Sequence, residues 1–229
     1  MMIFLQEPLV CPAVLLSEET TPHGRWYKTP SGKRYASVTT VLNATAPDKA
    51  GLREWRKRVG EAEATRITQQ AAGEGTRVHA ALEKIIQNQW SSFQAAQVMP
   101  NVKALLNQML PVMEAHVTAV HASELALYSD RLRLAGRTDC ICSWNGVRTI
   151  LDFKRSNRPK SFAMVQDYFL QTTAYALMAE ELLGVDIPTI TILMGVADGS
   201  GPLFWHLEKD KYIEILMARL ARYQELTLA

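Results

Sequence analysis

The order of hydrophobic periodicities predicts an α/β protein, a central mixed β-sheet flanked by helices, with a helical elaboration in its N-terminal half. Three observations predict it. From about residue 37 to 121 apolar residues recur at three- and four-residue spacings, and from 124 to 154 they alternate with period two. From 162 onward a helix, two strands and a closing helix follow in turn. At 229 residues and 48% hydrophobic composition, the chain can bury one substantial core but hardly two independent ones. One domain spanning 1–229 is therefore expected, with a helical part over about 37–121 and a sheet core over about 122–229.

The elements follow in order. Gly24 to Ser37 holds two β-prone runs around the turn residues Thr29-Pro30-Ser31-Gly32 and reads as a hairpin, with Trp26, Tyr27 and Tyr35 expected in its core. Val38–Asn43, Lys49–Thr65 and Glu74–Gln87 carry helical spacing, with breaks near Ala46-Pro47 and Gly73-Glu74-Gly75. A helix from about Val102 to Val120 should be kinked or split by Pro111. Strands at Glu124–Tyr128, Leu132–Trp144 and Val147–Lys154 should form an antiparallel meander, the last two joined by the two-residue hairpin signal Asn145-Gly146. A helix over Phe162–Leu183, strands over Thr189–Val196 and Leu203–Leu207, and a helix over Lys209–Leu226 complete the pattern. No internal repeat or low-complexity linker is present.

Composition narrows the class. Apolar runs stay well short of about 18 residues, so no membrane span is expected. Met1 to Leu16 lacks a basic start and contains Glu7, Pro8 and Pro12, which argues against a secretory leader. The three cysteines, Cys11, Cys140 and Cys142, cannot all pair, and reduced thiols in a cytoplasm fit best. A net charge of +2 identifies no partner by itself. Local clusters carry that argument: Arg53, Arg56, Lys57 and Arg58; Arg131, Arg133 and Arg137; Lys154, Arg155, Arg158 and Lys160.

The most informative segment is Ile150-Leu151-Asp152-Phe153-Lys154, where an acid and a base interrupt an apolar strand. Period two puts Asp152 and Lys154 on one face. A buried carboxylate costs several kcal/mol unless a lysine or a metal ion offsets it, so a plain ion pair and a metal site are both open here. Asp139, in Gly136-Arg137-Thr138-Asp139, counts back from the Asn145-Gly146 turn to a place near Asp152. Two acids so close need a cation between them, and magnesium, which prefers carboxylate oxygen, is the natural one.

Gly136 to Asp139, then Asp152-Phe153-Lys154, then Gln171 and Tyr175 on the next helix resemble the PD-(D/E)XK nuclease superfamily in its RecB-like branch. Within that branch the chain is similar to the mitochondrial genome maintenance exonuclease family and to phage exonucleases, and the latter resemblance would make the cytoplasm that of a bacterial or phage-infected cell. Ser37-Val38-Thr39, a helix start at Gly75-Thr76-Arg77-Val78-His79, and Lys154-Arg155-Ser156 extend the resemblance over about Ser37 to Tyr175. It implies a restriction-endonuclease-like core that hydrolyses DNA, with an exonuclease acting on single strands as the nearest type and the N-terminal helices arched over the strand. Structure-specific endonuclease action on the same core, or a catalytically silent DNA-binding recombination accessory, are the alternatives.

The resemblance also implies roles. His79, Asp139 and Asp152, with the main-chain carbonyl of Phe153, would bind Mg2+, and Lys154 would position the attacking water. Mn2+ should substitute, since a histidine ligand suits it. Gln171 and Tyr175 lie one turn apart beside the site, although Tyr175 is equally readable as core. Glu83 reads as a solvated or outlying group, and Glu124 as a strand-end charge or a further acidic contributor to the site. Arg155, Arg158 and Lys160 follow the catalytic strand and are placed to hold phosphates. Arg53, Arg56 and Lys57, with Arg58 and Trp55, form a basic aromatic helix that lines a strand channel or is simply a solvated face. DNA, single-stranded, is the expected partner, alongside recombination or replication proteins.

The chain departs from the family pattern in two places. Arg155 stands where a threonine commonly follows the lysine, and the second acid is Asp152 rather than a glutamate. With three cysteines a four-thiolate iron–sulfur cluster cannot form within the chain, and no Walker A loop is present.

Overall fold

The computed structural model describes residues 3–12, 14–47 and 50–228. Strands are β1 Ser17–Thr21, β2 Gly24–Lys28, β3 Arg34–Ser37, β4 Val117–Ser129, β5 Leu134–Trp144, β6 Val147–Ser156, β7 Thr189–Val196 and β8 Leu203–Glu208. Helices are α1 Val38–Ala44, α2 Ala50–Val59, α3 Glu61–Ile86, α4 Ser92–Gln97, α5 Pro100–His116, α6 Gln166–Leu183 and α7 Asp210–Leu228, with a 3-10 turn over Phe162–Val165 before α6.

The sheet is mixed, as the periodicities predicted. Its strands run in the order β1-β2-β3-β5-β6-β7-β8, with β4 paired to β5. Antiparallel β4, β5 and β6 form the meander, while β6 pairs β7 in parallel because α6 intervenes and returns the chain to the same end. Alternation sorts the side chains to two faces. Ile141, Ile150 and Ile192 pack under α1, α6 and α7, and Cys140, Cys142, Leu151 and Phe153 pack under α3 and α5. Cys140 and Cys142 thus share one face and are buried free thiols.

The structure corrects several expected boundaries. The expected helix start at Lys49 falls outside the described residues. The helical run expected over 49–65 breaks at Gly60, whose φ of 88° no ordinary side chain adopts readily, so α2 and α3 are separate. The break expected at Gly73-Glu74-Gly75 is absent; α3 runs straight through it, and Gly75-Thr76-Arg77-Val78-His79 is helix interior rather than a helix start. Pro111 does not split α5, which continues as one helix from Pro100 to His116. Pro111 and Asn107 are both exposed, so the carbonyl that loses its amide partner faces water. That helix stops at His116, because Val117-Thr118-Ala119-Val120 enters β4, which pairs with Trp144 to Cys142. The meander's first strand is therefore far longer than expected. Strand β1 and helix α4 carried no sequence signal that was read.

Candidate active site

The site forms where the sheet forks. One edge of β5 is covered by β4 along its whole length. The other is shared, with β6 pairing from Trp144 to Cys140 and β3 pairing at Leu134 and Ala135. Gly136 to Asp139 lie between. The last β5–β6 pair is Cys140 with Leu151, so one step outward Asp139 faces Asp152. With no ladder partner there, Asp139 Oδ2 accepts the main-chain amide of Phe153 at 2.8 Å.

Charge is concentrated in this fork. Asp152 is 2% exposed, and burial, with the nearby Asp139 charge, pushes its carboxyl up to about 6 against the opposing pull of Lys154. The Lys154 ammonium lies against Asp152 Oδ2, yet that buried oxygen receives no well-directed hydrogen bond. Burial would raise the Asp139 carboxyl too, but the hydrogen bond and charge of His79, then Lys154 and the Phe153 amide, outweigh it and hold the group below its usual range. His79 Nδ1 stands 3.3 Å from Asp139 Oδ2. Burial opposes charge on His79 and on Lys154, and in both cases the two carboxylates prevail and raise the pKa.

Helices complete the walls. Helix α3 delivers His79, whose ring meets Phe153 edge-on at 6.2 Å. Helix α6 delivers Gln171 and Tyr175, and Gln171 Nε2 donates to the Tyr175 hydroxyl at 3.3 Å. Tyr175 is buried, and Gly136 makes room for it. A Cβ there would lie 2.9 Å from Tyr175 Cε1. Tyr168, one turn before Gln171, presents its ring to two ammonium groups, Lys154 at 5.0 Å and Lys160 at 4.9 Å, and its hydroxyl accepts from Lys160 at 2.8 Å.

Sequence reading gave Tyr168 no role, although its spacing of three from Gln171 placed it on the same face. Glu124 is mid-strand in β4, next to Asp139 and with φ of 49°, not at a strand end. Burial and the charges of Asp139 and Glu83 raise its carboxyl. A non-glycine residue held in the left-handed region beside a charged cluster marks a strained site.

The expected basic contacts separate into groups. A groove of about 870 Å³ runs between α2, α3 and the loop after β6, lined by Trp55, Arg58, Arg155, Arg158, Lys160 and Met164 among others. Arg158 is exposed in it. Arg155 is turned inward, its side chain 7% exposed and ion-paired with Glu74 of α3. On α2, Arg56 is spent on Glu61, at 2.9 and 2.5 Å, and Arg53 and Lys57 are exposed on the same helix without lining the groove. Arg58, expected with them on this basic helix, is the α2 cation that lines it.

The donors suit a hard divalent ion: two carboxylates on adjoining strands, one with a buried oxygen lacking a directed hydrogen bond, and an imidazole beside them. Among the described residues no three acidic, histidine or cysteine side chains already converge on one point; Lys154 lies against Asp152 and His79 against Asp139.

An α/β core with paired acids and a lysine at a fork in its sheet defines a nuclease class, and comparison with known families agrees. The profile of the PD-(D/E)XK nuclease superfamily matches residues 49–219, and the chain belongs to that superfamily. It is similar to mitochondrial genome maintenance exonuclease 1 of Mus musculus, 26% identical over 202 residues covering 82% of this chain and 59% of that protein. The Homo sapiens protein of the same name is 28% identical over 203 residues, covering 82% and 58%. The chain thus matches somewhat over half the length of these curated relatives. Among the described residues no helix is long and apolar enough to cross a membrane.

Proposed function

We propose that the protein is a divalent-metal-dependent deoxyribonuclease, an exonuclease acting on single-stranded ends in DNA replication, recombination or repair. The observation that carries the reading is the meeting of Asp139, Asp152 and Lys154 at the fork of β5 and β6.

Asp139, Asp152, His79 and the Phe153 carbonyl would hold Mg2+, or Mn2+ in its place, which when bound neutralises phosphate charge and acidifies water. Lys154, whose ammonium is stabilised by both acids, stays charged at neutral pH. Its ammonium would orient water and phosphate oxygens and stabilise developing charge electrostatically. The Tyr168 ring and the Asp152 carboxylate fix its direction. Gln171 offers amide hydrogens from the α6 side, and the Tyr175 hydroxyl fixes that amide.

The groove supports an unpaired strand as substrate. Its cations, Arg58, Arg158 and Lys160, suit backbone phosphates, and its apolar wall of Trp55, Leu52, Val59 and Ile67 suits exposed bases, which a duplex hides. The exonuclease part is supported by the name of the two relatives.

The test is digestion of end-labelled single and double strands with each end blocked in turn, beside covalently closed single-stranded circles. Free-ended single strands should be degraded with Mg2+ or Mn2+, and circles and metal-free samples should stay intact. Cutting of circles would establish an endonuclease instead. Full metal-dependent cleavage by Asp152→Asn would overturn the site.

A further inference from the structure

Glu74 is an unexpected buried acid. It stands between two glycines in mid-helix, yet it is 3% exposed. Arg155 Nη2 donates to its Oε2, Gln70 Nε2 donates to its Oε1 at 3.1 Å, and the Asn101 side chain of α5 hydrogen-bonds to it as well. Arg155 is equally enclosed; its Nη1 is taken by Asn157, and its Nε is buried with no hydrogen-bond partner. A buried ion pair is a weak source of stability, because desolvation offsets most of the attraction, so its worth lies more in fixing geometry.

The geometry it fixes is specific. Arg155 follows Lys154 directly, and alternation along β6 sends its side chain to the face opposite Asp152 and Lys154, towards α3. On α3, His79 comes five residues after Glu74, roughly 7.5 Å along the axis and about 140° round it. The helix is thus held twice, by Arg155 of β6 through Glu74 and by Asp139 of β5 through His79. Apolar packing of Val78, Leu82 and Ile86 seats the helix on the sheet, and the two polar grips, at different heights and angles, set its roll.

We propose that the Glu74–Arg155 pair is a positioning device that sets the roll of α3 and so holds His79 beside Asp139 and Asp152 for metal binding. This rests on the nuclease reading above. Neither residue touches the reacting atoms. The pair uses the arginine that stands where the family commonly has threonine.

The experiment compares wild type with Glu74→Met/Arg155→Met, which removes both charges and leaves no buried ion unpaired, and with Glu74→Gln and Arg155→Lys. Mn2+ binding is measured by calorimetry without nucleic acid, alongside thermal melting and the separate kcat and KM for a single strand. The double variant should fold and bind Mn2+ about tenfold or more weakly, the loss typical of disturbed support around a metal site. Its kcat should fall with little change in KM, and Arg155→Lys should recover part of the loss. Wild-type Mn2+ affinity and kcat in the double variant would overturn the inference and leave the pair a packing feature. If the double variant does not fold, Glu74→Gln decides by the same readouts. A wild-type protein that binds no Mn2+ and cleaves nothing would instead overturn the nuclease reading itself.

Discussion

Asp139 Oδ2 accepts the Phe153 amide at 2.8 Å, so a side chain replaces a ladder bond at the point where β5 and β6 part. A carboxylate is thereby fixed by the strand it faces. It stands opposite Asp152 in the register that the β5–β6 ladder sets.

Metal binding should stabilise the fold, because it offsets the repulsion of acids forced together. Saturating Mg2+ or Mn2+ at about 100 times its Kd adds about 2.7 kcal/mol. For a chain of this size that is roughly 5–10 °C in Tm. Asp152 carries a raised pKa of about 6, so its proton competes with the ion below that pH. The metal-induced rise in Tm should be small at pH 5 and full at pH 7, and Asp139→Asn or Asp152→Asn should remove it. Calorimetric melting with and without EDTA checks this.

Lys154→Gln should separate catalysis from metal binding. Removing the ammonium leaves both carboxylates in place, so metal-dependent stabilisation should persist. Single-strand cleavage should fall by about 10²–10³-fold, the scale for losing one preorganised electrostatic donor. Initial rates and melting on the same preparation distinguish this from unfolding.

The groove predicts two kinds of binding loss. In an Asp152→Asn background, Arg158→Ala should weaken single-strand binding uniformly across sequences and lower the salt slope by about one. Trp55→Ala should cost about 1–3 kcal/mol if it stacks on a base, with no change in salt slope. Fluorescence anisotropy over a salt series measures both, and an unchanged affinity in both variants would remove the groove from the strand path.

Gly136→Ala should disturb the site from behind. The new Cβ would lie 2.9 Å from Tyr175 Cε1 and 3.3 Å from its hydroxyl, and Tyr175 is too enclosed to retreat. Overpacking of this kind costs about 1–3 kcal/mol. Urea unfolding should show that loss, and cleavage should fall with it because Tyr175 holds Gln171.

Much of this was readable from local pattern. The Asn145-Gly146 turn set the register of β5 on β6, since a two-residue hairpin leaves no freedom in pairing, and counting from it placed Asp139 against Asp152. Period two put Lys154 with Asp152. Boundaries were read less well where a residue's meaning depends on its surroundings. Glycine and proline are breakers only when nothing else holds the helix, and α3 keeps its course through Gly73 and Gly75 while Arg155 grips Glu74 between them.

The sequence by itself determined the order of elements, the strand face shared by Asp152 and Lys154, and the pairing that brings Asp139 beside them, because hydrophobic period and turn length act over a few residues. Only the tertiary structure decided the fork between β3 and β6, the inward turn of Arg155 onto Glu74, the lysine-flanked ring of Tyr168, and which α2 cation faces the groove. Each of these joins residues of different elements. Their pairing depends on how two faces of a sheet are covered, and no local spacing encodes that.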